Sequence, residues 1–205
     1  MRYGRFMTDT APRATFTRMD QSTKDDWDII VGAVIEHAHT KLYGSVMQQM
    51  ETLSGDHGGF AVDRLTHCLQ TAYLAEQAGK DEEYIVCALL HDIGDVLAPF
   101  NHPDIAAGIL KPYVSEANHW MVANHGTVQG YYYFHHIGLD RDKRDELKDH
   151  EFYEHCEEFC AKFDMPAFDP EMTAPPLSHY APLLESMFGP GGLTSLDDVK
   201  GAVQK

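Results

Sequence analysis

The stretch Cys87-Ala88-Leu89-Leu90-His91-Asp92-Ile93-Gly94-Asp95 determines how this chain is organised. In it, an apolar run ends in an adjacent His-Asp pair that is followed at once by Ile-Gly. Neighbouring side chains on one helix point about 100° apart, so His91 and Asp92 can converge only on something between them at the helix surface, or on two neighbouring metal ions. Burying a charged Asp is costly unless it is paired or bound to a metal. The pair therefore marks a candidate metal site, against the simpler alternative that both residues only decorate a core helix.

The hydrophobic spacing around this stretch predicts helices and gives no convincing strand pattern, so the expected fold class is all-α. The apolar helix that carries the His-Asp pair is expected to be buried, which brings the pair to the core. Helices are predicted over residues 23–53, 63–79, 82 to about 96, 103–110, from 115 onward and 152–163, and residues 180–188 form an apolar segment.

The chain of 205 residues is most simply one domain. Residues 1–22 lack periodicity and are expected to form a mobile or loosely packed lead-in, and residues 23–188 form the helical core. A Gly-Pro-Gly-Gly hinge and a short helix that begins at Ser195 make up residues 189–205.

Composition excludes several classes of function. A net charge of −16 argues against a nucleic-acid partner, because no basic stripe exists to displace counterions. The apolar runs are too short to cross a bilayer, and the N-terminus has no secretory signal, so no membrane partner is expected. Four cysteines without the density of a disulfide scaffold indicate a cytoplasmic, reduced protein. The acidic surface and the exposed aromatic residues expected from the sequence permit either a monomer or a homodimer.

Further potential ligands flank the His-Asp pair, each on a different helix or at a helix end, as in metal sites built within helix bundles. Nitrogen and oxygen ligands without a thiolate suit iron, manganese or magnesium. The candidate metal ligands are His67, His91, Asp92, His102, His125 and Asp164. His119 is an alternative to His102, and Asp169 is an alternative to Asp164.

This H…HD…H…H…D pattern resembles the HD-domain superfamily over roughly residues 60–170, which implies a helical bundle with a dinuclear metal site in its core. Within the superfamily, the spacing is most similar to the mixed-valent di-iron oxygenases that act on 1-hydroxyphosphonates. The segment His67-Cys68-Leu69-Gln70-Thr71-Ala72 also resembles myo-inositol oxygenase.

The resemblance implies two iron ions bridged by Asp92, with His91 and Asp92 as catalytic residues. The implied reaction uses O2 to cleave a C–P or C–C bond of a small α-hydroxy substrate. Gln70, Asp95 and Gln129 are candidate substrate contacts, although each could equally be a hydrogen-bond partner that orients a metal ligand.

The chain departs from these relatives around the metal ligands. His57 and Phe60 stand where the phosphonate oxygenase has a Tyr and a Glu that gate the iron. Gln129 and Asp95 each stand where a relative has a Lys. These differences leave the metal ligands intact and the identity of the substrate open.

Two rival functions share the same residues. An HD phosphohydrolase would use manganese or magnesium on a phosphate ester, although the shortage of Lys and Arg near the motifs disfavours a polyphosphate. A non-enzymatic sensor would be expected to have lost some ligands. Arg64, Lys111 and Lys162 are possible anion-binding residues, for which a solvated surface role is favoured, and the aromatic run at 131–134 is assigned to the core.

Overall fold

The computed structural model describes residues 11–193, 195, 197, 198 and 201, and the predicted all-α class is confirmed for this part of the chain, which contains no strand. Short 3-10 helices lie at Met19–Gln21, Phe134–Ile137 and Arg141–Leu147. The α-helices are α1 (Lys24–Thr40), α2 (Leu42–Glu51), α3 (Arg64–Gln77), α4 (Glu82–Leu90), α5 (His102–Leu110), α6 (Glu116–Tyr133), α7 (Tyr153–Phe159) and α8 (Leu177–Phe188).

Side-chain caps fix the starts of the helices that surround the site. The side chains of Thr23, Asp63, Asp81 and Ser115 each accept a hydrogen bond from the backbone N–H three residues ahead. Such a cap satisfies one of the N–H groups that a helix leaves unpaired at its start. These capping residues are recognisable in the sequence, and the predicted starts of α1, α3, α4 and α6 are confirmed.

Helix α4 lies at the centre of the molecule. Every residue from Tyr84 to Leu90 is buried, as its apolar sequence predicted. Helices α3, α6 and α8 all pack against it. The carboxyl end of this buried helix therefore delivers His91 to the interior, where the exposed fraction of that residue is 0%.

Helix α4 ends at Leu90, so the predicted extension to about residue 96 was wrong. Residues 91–97 form consecutive tight turns, in which the Asp95 N–H donates to the Asp92 carbonyl and the Leu97 N–H donates to the Gly94 carbonyl. The approach of α5 explains the change, because a Cβ at Gly94 would lie 2.6 Å from the Cβ of Ile105. The absence of a side chain at Gly94 lets α5 pack directly on these turns.

Other boundaries also differ from the predictions. The single helix predicted over residues 23–53 is broken at Lys41, whose backbone leaves the helical region (φ −133°, ψ −27°). Helix α6 continues through the aromatic run to Tyr133. The helix predicted over 152–163 is α-helical to Phe159 and then widens into a π-helical turn over Cys160–Asp164, a feature often found at functional sites.

The ends of the chain are only partly described. The Thr15 N–H donates to Asp26 Oδ1 at 2.8 Å, which ties the described part of the lead-in to the start of α1. Ser195 and Asp198 hydrogen-bond each other as a helix start, as predicted, while most of that predicted helix and residues 1–10 lie outside the described residues. The domain boundaries after residues 22 and 188 remain predictions. None of the helices described is long and apolar enough to cross a membrane.

Candidate metal centre

The six predicted ligands come from five segments of the chain and converge at one place. His67 lies on α3, His102 is the first residue of α5, and His125 lies on α6. His91 is the C-cap of α4, Asp92 follows it, and Asp164 ends the π-helical turn. Asp169 is exposed, so Asp164 is the aspartate of this stretch that reaches the cluster.

One group of ligand atoms surrounds Oδ2 of Asp92. The Nε2 atoms of His67 and His91 are 3.1 Å apart, and each is 3.5 Å from Asp92 Oδ2. Asp164 Oδ1 lies 3.3 Å from the Nε2 of His67 and 3.7 Å from that of His91. His67, His91 and Asp164 are all buried and form a set that could hold one metal ion.

A second group surrounds the other oxygen of Asp92. The Nε2 atom of His102 is 3.1 Å from Asp92 Oδ1, and the Nε2 atom of His125 is 3.2 Å from the same oxygen. His91, Asp92 and His125 form another set that could hold a metal ion. Asp92 thus directs one carboxylate oxygen to each group, which is the arrangement of a carboxylate that bridges two ions.

The outward-facing nitrogens of the histidines determine what their inward-facing nitrogens can do. His67 Nδ1 donates to the Ala167 carbonyl at 2.9 Å, and His91 Nδ1 donates to the Ala88 carbonyl at 2.8 Å. His125 Nδ1 donates to the Val122 carbonyl at 2.7 Å. A neutral imidazole that donates from Nδ1 has a lone pair on Nε2, so all three rings present a metal-binding nitrogen to the cluster.

These residues fit metal ions, and two observations support that conclusion. The Nε2 atoms of His67 and His91 face each other across 3.1 Å, where two lone pairs would repel unless a proton or a metal ion lies between them. Asp164 Oδ2 is buried and has no hydrogen-bond partner, which is costly for a carboxylate. Four imidazoles and two carboxylates match metals that prefer nitrogen and oxygen ligands.

The electrostatics of the cluster favour positive charge among these ligands. Burial by itself lowers the pKa of His91, but the carboxylates of Asp92 and Asp164 outweigh burial and raise that pKa to about 9. Burial by itself raises the pKa of Asp164, but hydrogen bonds with His67 and His91 hold it well below its usual range. The carboxylates of the cluster therefore favour a positive charge beside them, carried either by a proton at His91 or by a metal ion.

A cavity of about 510 Å³ adjoins the cluster and is lined by all the predicted ligands except the fully buried His91. Much of its remaining wall is aromatic, including Phe60, Tyr132, Tyr133 and Phe168. The Phe168 ring stacks on His67 with a centroid distance of 4.1 Å, and Phe60 stacks on Phe168 at 5.0 Å. A small molecule in this cavity would contact the metal ligands and the aromatic rings together.

The structure brings two of the three predicted substrate contacts, Asp95 and Gln129, to this cavity. Gln129 Oε1 is buried and has no partner in the protein. Gln70 does not line the cavity, because its amide donates to the carbonyls of Asp169 and Met172 and accepts from the Asp169 N–H. The alternative interpretation of Gln70, as a hydrogen-bond partner, fits this placement.

The sequence analysis missed some cavity residues. Arg64 was assigned to the surface, yet its side chain is only 17% exposed and pairs with Asp95. Its position three residues before His67, on the same helix face, was a usable signal. Tyr132 and Tyr133 were assigned to the core but line the cavity, and nothing in the aromatic run distinguished the two roles. Lys162 is exposed and pairs with Glu158, as expected for a surface residue.

Comparison with known proteins agrees with this geometry. Residues 64–153 match the family model described as HD domain, a range that contains five of the six ligands and ends before Asp164. HD domains are in general metal-dependent enzymes, and the cluster supplies the candidate ligands for the metal. No curated protein matches the chain.

Proposed function

We propose that this protein is an HD-type dinuclear oxygenase that uses two iron ions and O2 to cleave a C–P or C–C bond of a small α-hydroxy substrate such as a 1-hydroxyphosphonate. The observation that carries the proposal is the position of the Asp92 carboxylate, whose two oxygens face two separate groups of imidazole nitrogens. An adjacent His-Asp pair is awkward for one ion and natural for two.

The ligand atoms are compatible with iron, one of the metals that such donors bind. The cluster offers nitrogen and oxygen donors and no thiolate, and Cys68, the cysteine next to His67, is buried with its pKa raised by burial. Bound iron would supply the oxidising power, and the protein would supply ligand geometry and shielding from water. His67, His91 and Asp164 would hold one ion, while His102 and His125 would hold the other.

The cavity supports a small substrate rather than a polyphosphate. Among the described residues that line it, Arg64 is the one Arg or Lys, and its charge is matched by the carboxylates of Asp95 and Asp56. A polyphosphate would need several unmatched cations. Gln129 Oε1 is available to accept a hydrogen bond from the substrate. The aromatic walls would exclude water around the reacting carbon.

The second candidate is a metal-dependent HD phosphohydrolase, which the match of residues 64–153 to the HD domain favours. The same six ligands would then hold manganese or magnesium, which would act as Lewis acids on a phosphate ester. The matched charge of Arg64 argues against a highly charged ester. The identity of the metal and the requirement for O2 separate the two reactions.

The test begins with protein purified without oxygen and assayed against two sets of compounds. The proposal predicts that 1-hydroxyphosphonates or polyols are consumed only when O2 and bound iron are both present. Turnover of phosphate esters with manganese or magnesium, without O2, would replace it with the hydrolase. Asp164→Ala should abolish turnover, whereas Asp169→Ala, an exposed aspartate five residues away, is the matched control and should not.

We also propose that the protein acts in the cytoplasm, on a small molecule and without a nucleic-acid or membrane partner. All four cysteines are free and buried, which is consistent with a reducing compartment. Whether the protein is a monomer or a homodimer stays open, and size-exclusion chromatography with light scattering would decide it.

A further inference from the structure

His102 differs from the other histidines of the cluster in how its outer nitrogen is held. The Nδ1 atoms of His67, His91 and His125 face backbone carbonyls, whereas His102 Nδ1 lies 3.4 Å from Asp95 Oδ1. His102 also has the most exposed side chain of the four, at 23%. His102 Nδ1 is buried and forms no hydrogen bond to the backbone, and the carboxylate of Asp95 lies against it.

Asp95 is in turn held by Arg64. Its other oxygen, Oδ2, forms an ion pair with Nη1 of Arg64, in which both side chains are largely buried. Arg64 is the first residue of α3, one turn before His67. A continuous series of polar contacts therefore runs from Arg64 through Asp95 to His102 and ends at Asp92.

Arg64 also contacts the loop that precedes α3. Its Nε atom is 3.5 Å from Oδ2 of Asp56. Gly58 (φ +52°) lies so close that a Cβ there would be 2.4 Å from Arg64 Nη2, so a side chain at this position would displace the guanidinium. The same loop carries Phe60 to the cavity wall. Arg64 thus connects the cavity wall to the His102 side of the cluster.

We propose that Arg64 and Asp95 are positioning residues that set the affinity of the metal position formed by His102 and His125, without setting that of the position formed by His67, His91 and Asp164. Asp95 lies against Nδ1 of His102 and orients the ring so that Nε2 points at Asp92. Arg64 orients Asp95 through the ion pair. The inference rests on the proposed function in that it requires two metal positions.

The expected magnitude follows from the behaviour of such partners in other metal sites. Loss of a residue that hydrogen-bonds the outer nitrogen of a metal-binding histidine weakens metal binding by about 10–100-fold. An ion pair that only joined two segments of the chain would leave metal binding unchanged. Metal affinity therefore separates the positioning role from a merely structural one.

The test is titration of metal-free protein with Fe2+ under anaerobic conditions, measuring the affinity of each of the two binding steps. Asp95→Ala should weaken one step about 10–100-fold and leave the other unchanged. Arg64→Met should weaken the same step. Asp95→Asn, which keeps the shape of the side chain, should have an intermediate effect and covers the possibility that Asp95→Ala fails to fold. Arg144→Met is the matched control, because Arg144 is 14% exposed, pairs with Glu157 and does not line the cavity.

A double-variant comparison makes the test specific. His102→Ala should weaken the same binding step, and adding Asp95→Ala to it should cause no further loss, because Asp95 acts through His102. Equal weakening of both steps in Asp95→Ala, or wild-type affinity in both, would overturn the inference. If wild-type protein bound fewer than two ions, the dinuclear proposal itself would fail, and this inference would fail with it.

Discussion

Replacing Gly94 with alanine tests whether the close packing of α5 against the turns after α4 keeps His102 in place. A Cβ at residue 94 would lie 2.6 Å from Ile105 Cβ and 3.2 Å from the His102 carbonyl oxygen. Ordinary carbon contacts are about 3.5–4.0 Å, so the start of α5 would have to retreat by about 1 Å. Metal and catalytic sites tolerate displacements of only about 0.5 Å. Gly94→Ala should therefore lose the metal position that includes His102.

The stability cost of Gly94→Ala follows from the same overlap. Overpacking a tight core contact costs about 1–3 kcal/mol. For a chain of this length, each kcal/mol lowers the melting temperature by about 2–4 °C. The assay is metal content by elemental analysis, together with thermal unfolding of the metal-free protein.

Gly108→Ala is the control, because Gly108 lies on α5, the helix that packs against Gly94, and a Cβ at Gly108 would have no neighbour within 4 Å. This substitution should keep both metal ions and stabilise the protein by up to about 1 kcal/mol, since alanine favours helix over glycine. If Gly94→Ala bound both ions and melted like wild type, the reasoning about how α5 positions His102 would be refuted.

Three further predictions concern stability. The pKa of His91 is raised from 6.5 to about 9, so its contribution to the stability of the metal-free protein is full below pH 6.5 and is lost as the pH rises through about 9. Equal melting temperatures at pH 6.5 and 9.5 in the presence of a chelator would contradict this expectation. The metal-loaded protein should not show the effect. Asp81→Ala removes the side chain that accepts a hydrogen bond from the Tyr84 N–H, and it should lower the free energy of unfolding in denaturant by about 0.5–2 kcal/mol. Loss of bound metal in this variant would contradict a role confined to the start of α4. Gln70→Leu should cost about 1–3 kcal/mol, because the backbone groups of Asp169 and Met172 lose the hydrogen bonds made by the buried Gln70 amide. Gln129→Leu removes an unpartnered oxygen and should be neutral or stabilising, and the reverse order in thermal melts would contradict the placement of both side chains.

The sequence alone was sufficient to predict those features of the structure that are decided by local chemistry. The caps Asp63, Asp81 and Ser115 mark helix starts because a short polar side chain satisfies the free N–H groups there. The six candidate ligands could be collected from residue type and separation, since each lies on a different helix or at a helix end, and the structure brings them together. Sequence also narrowed the last ligand to two aspartates, of which the structure brings Asp164 to the cluster and leaves Asp169 exposed.

Long-range contacts decided the features that the sequence did not reveal. Helix α4 ends at Leu90 although its apolar pattern continues, and what accompanies this end is the contact between Gly94 and Ile105 of another helix. Arg64 looked like a surface arginine because its partner, Asp95, lies 31 residues away. Phe168 reaches the cavity only because it stacks on His67 of a distant segment. No local pattern contains these pairings.

The most direct test of the central claim is the metal content of the protein purified without oxygen, followed by EPR after partial oxidation. If the two carboxylate oxygens of Asp92 bind different metal ions, as proposed, the protein should contain about two iron ions per chain and give the signal of a coupled mixed-valent pair. Retention of both ions in Asp92→Ala would contradict a bridging role for this residue. Wild-type protein that held manganese, magnesium or zinc and gave no coupled signal would contradict the oxygenase and favour the phosphohydrolase.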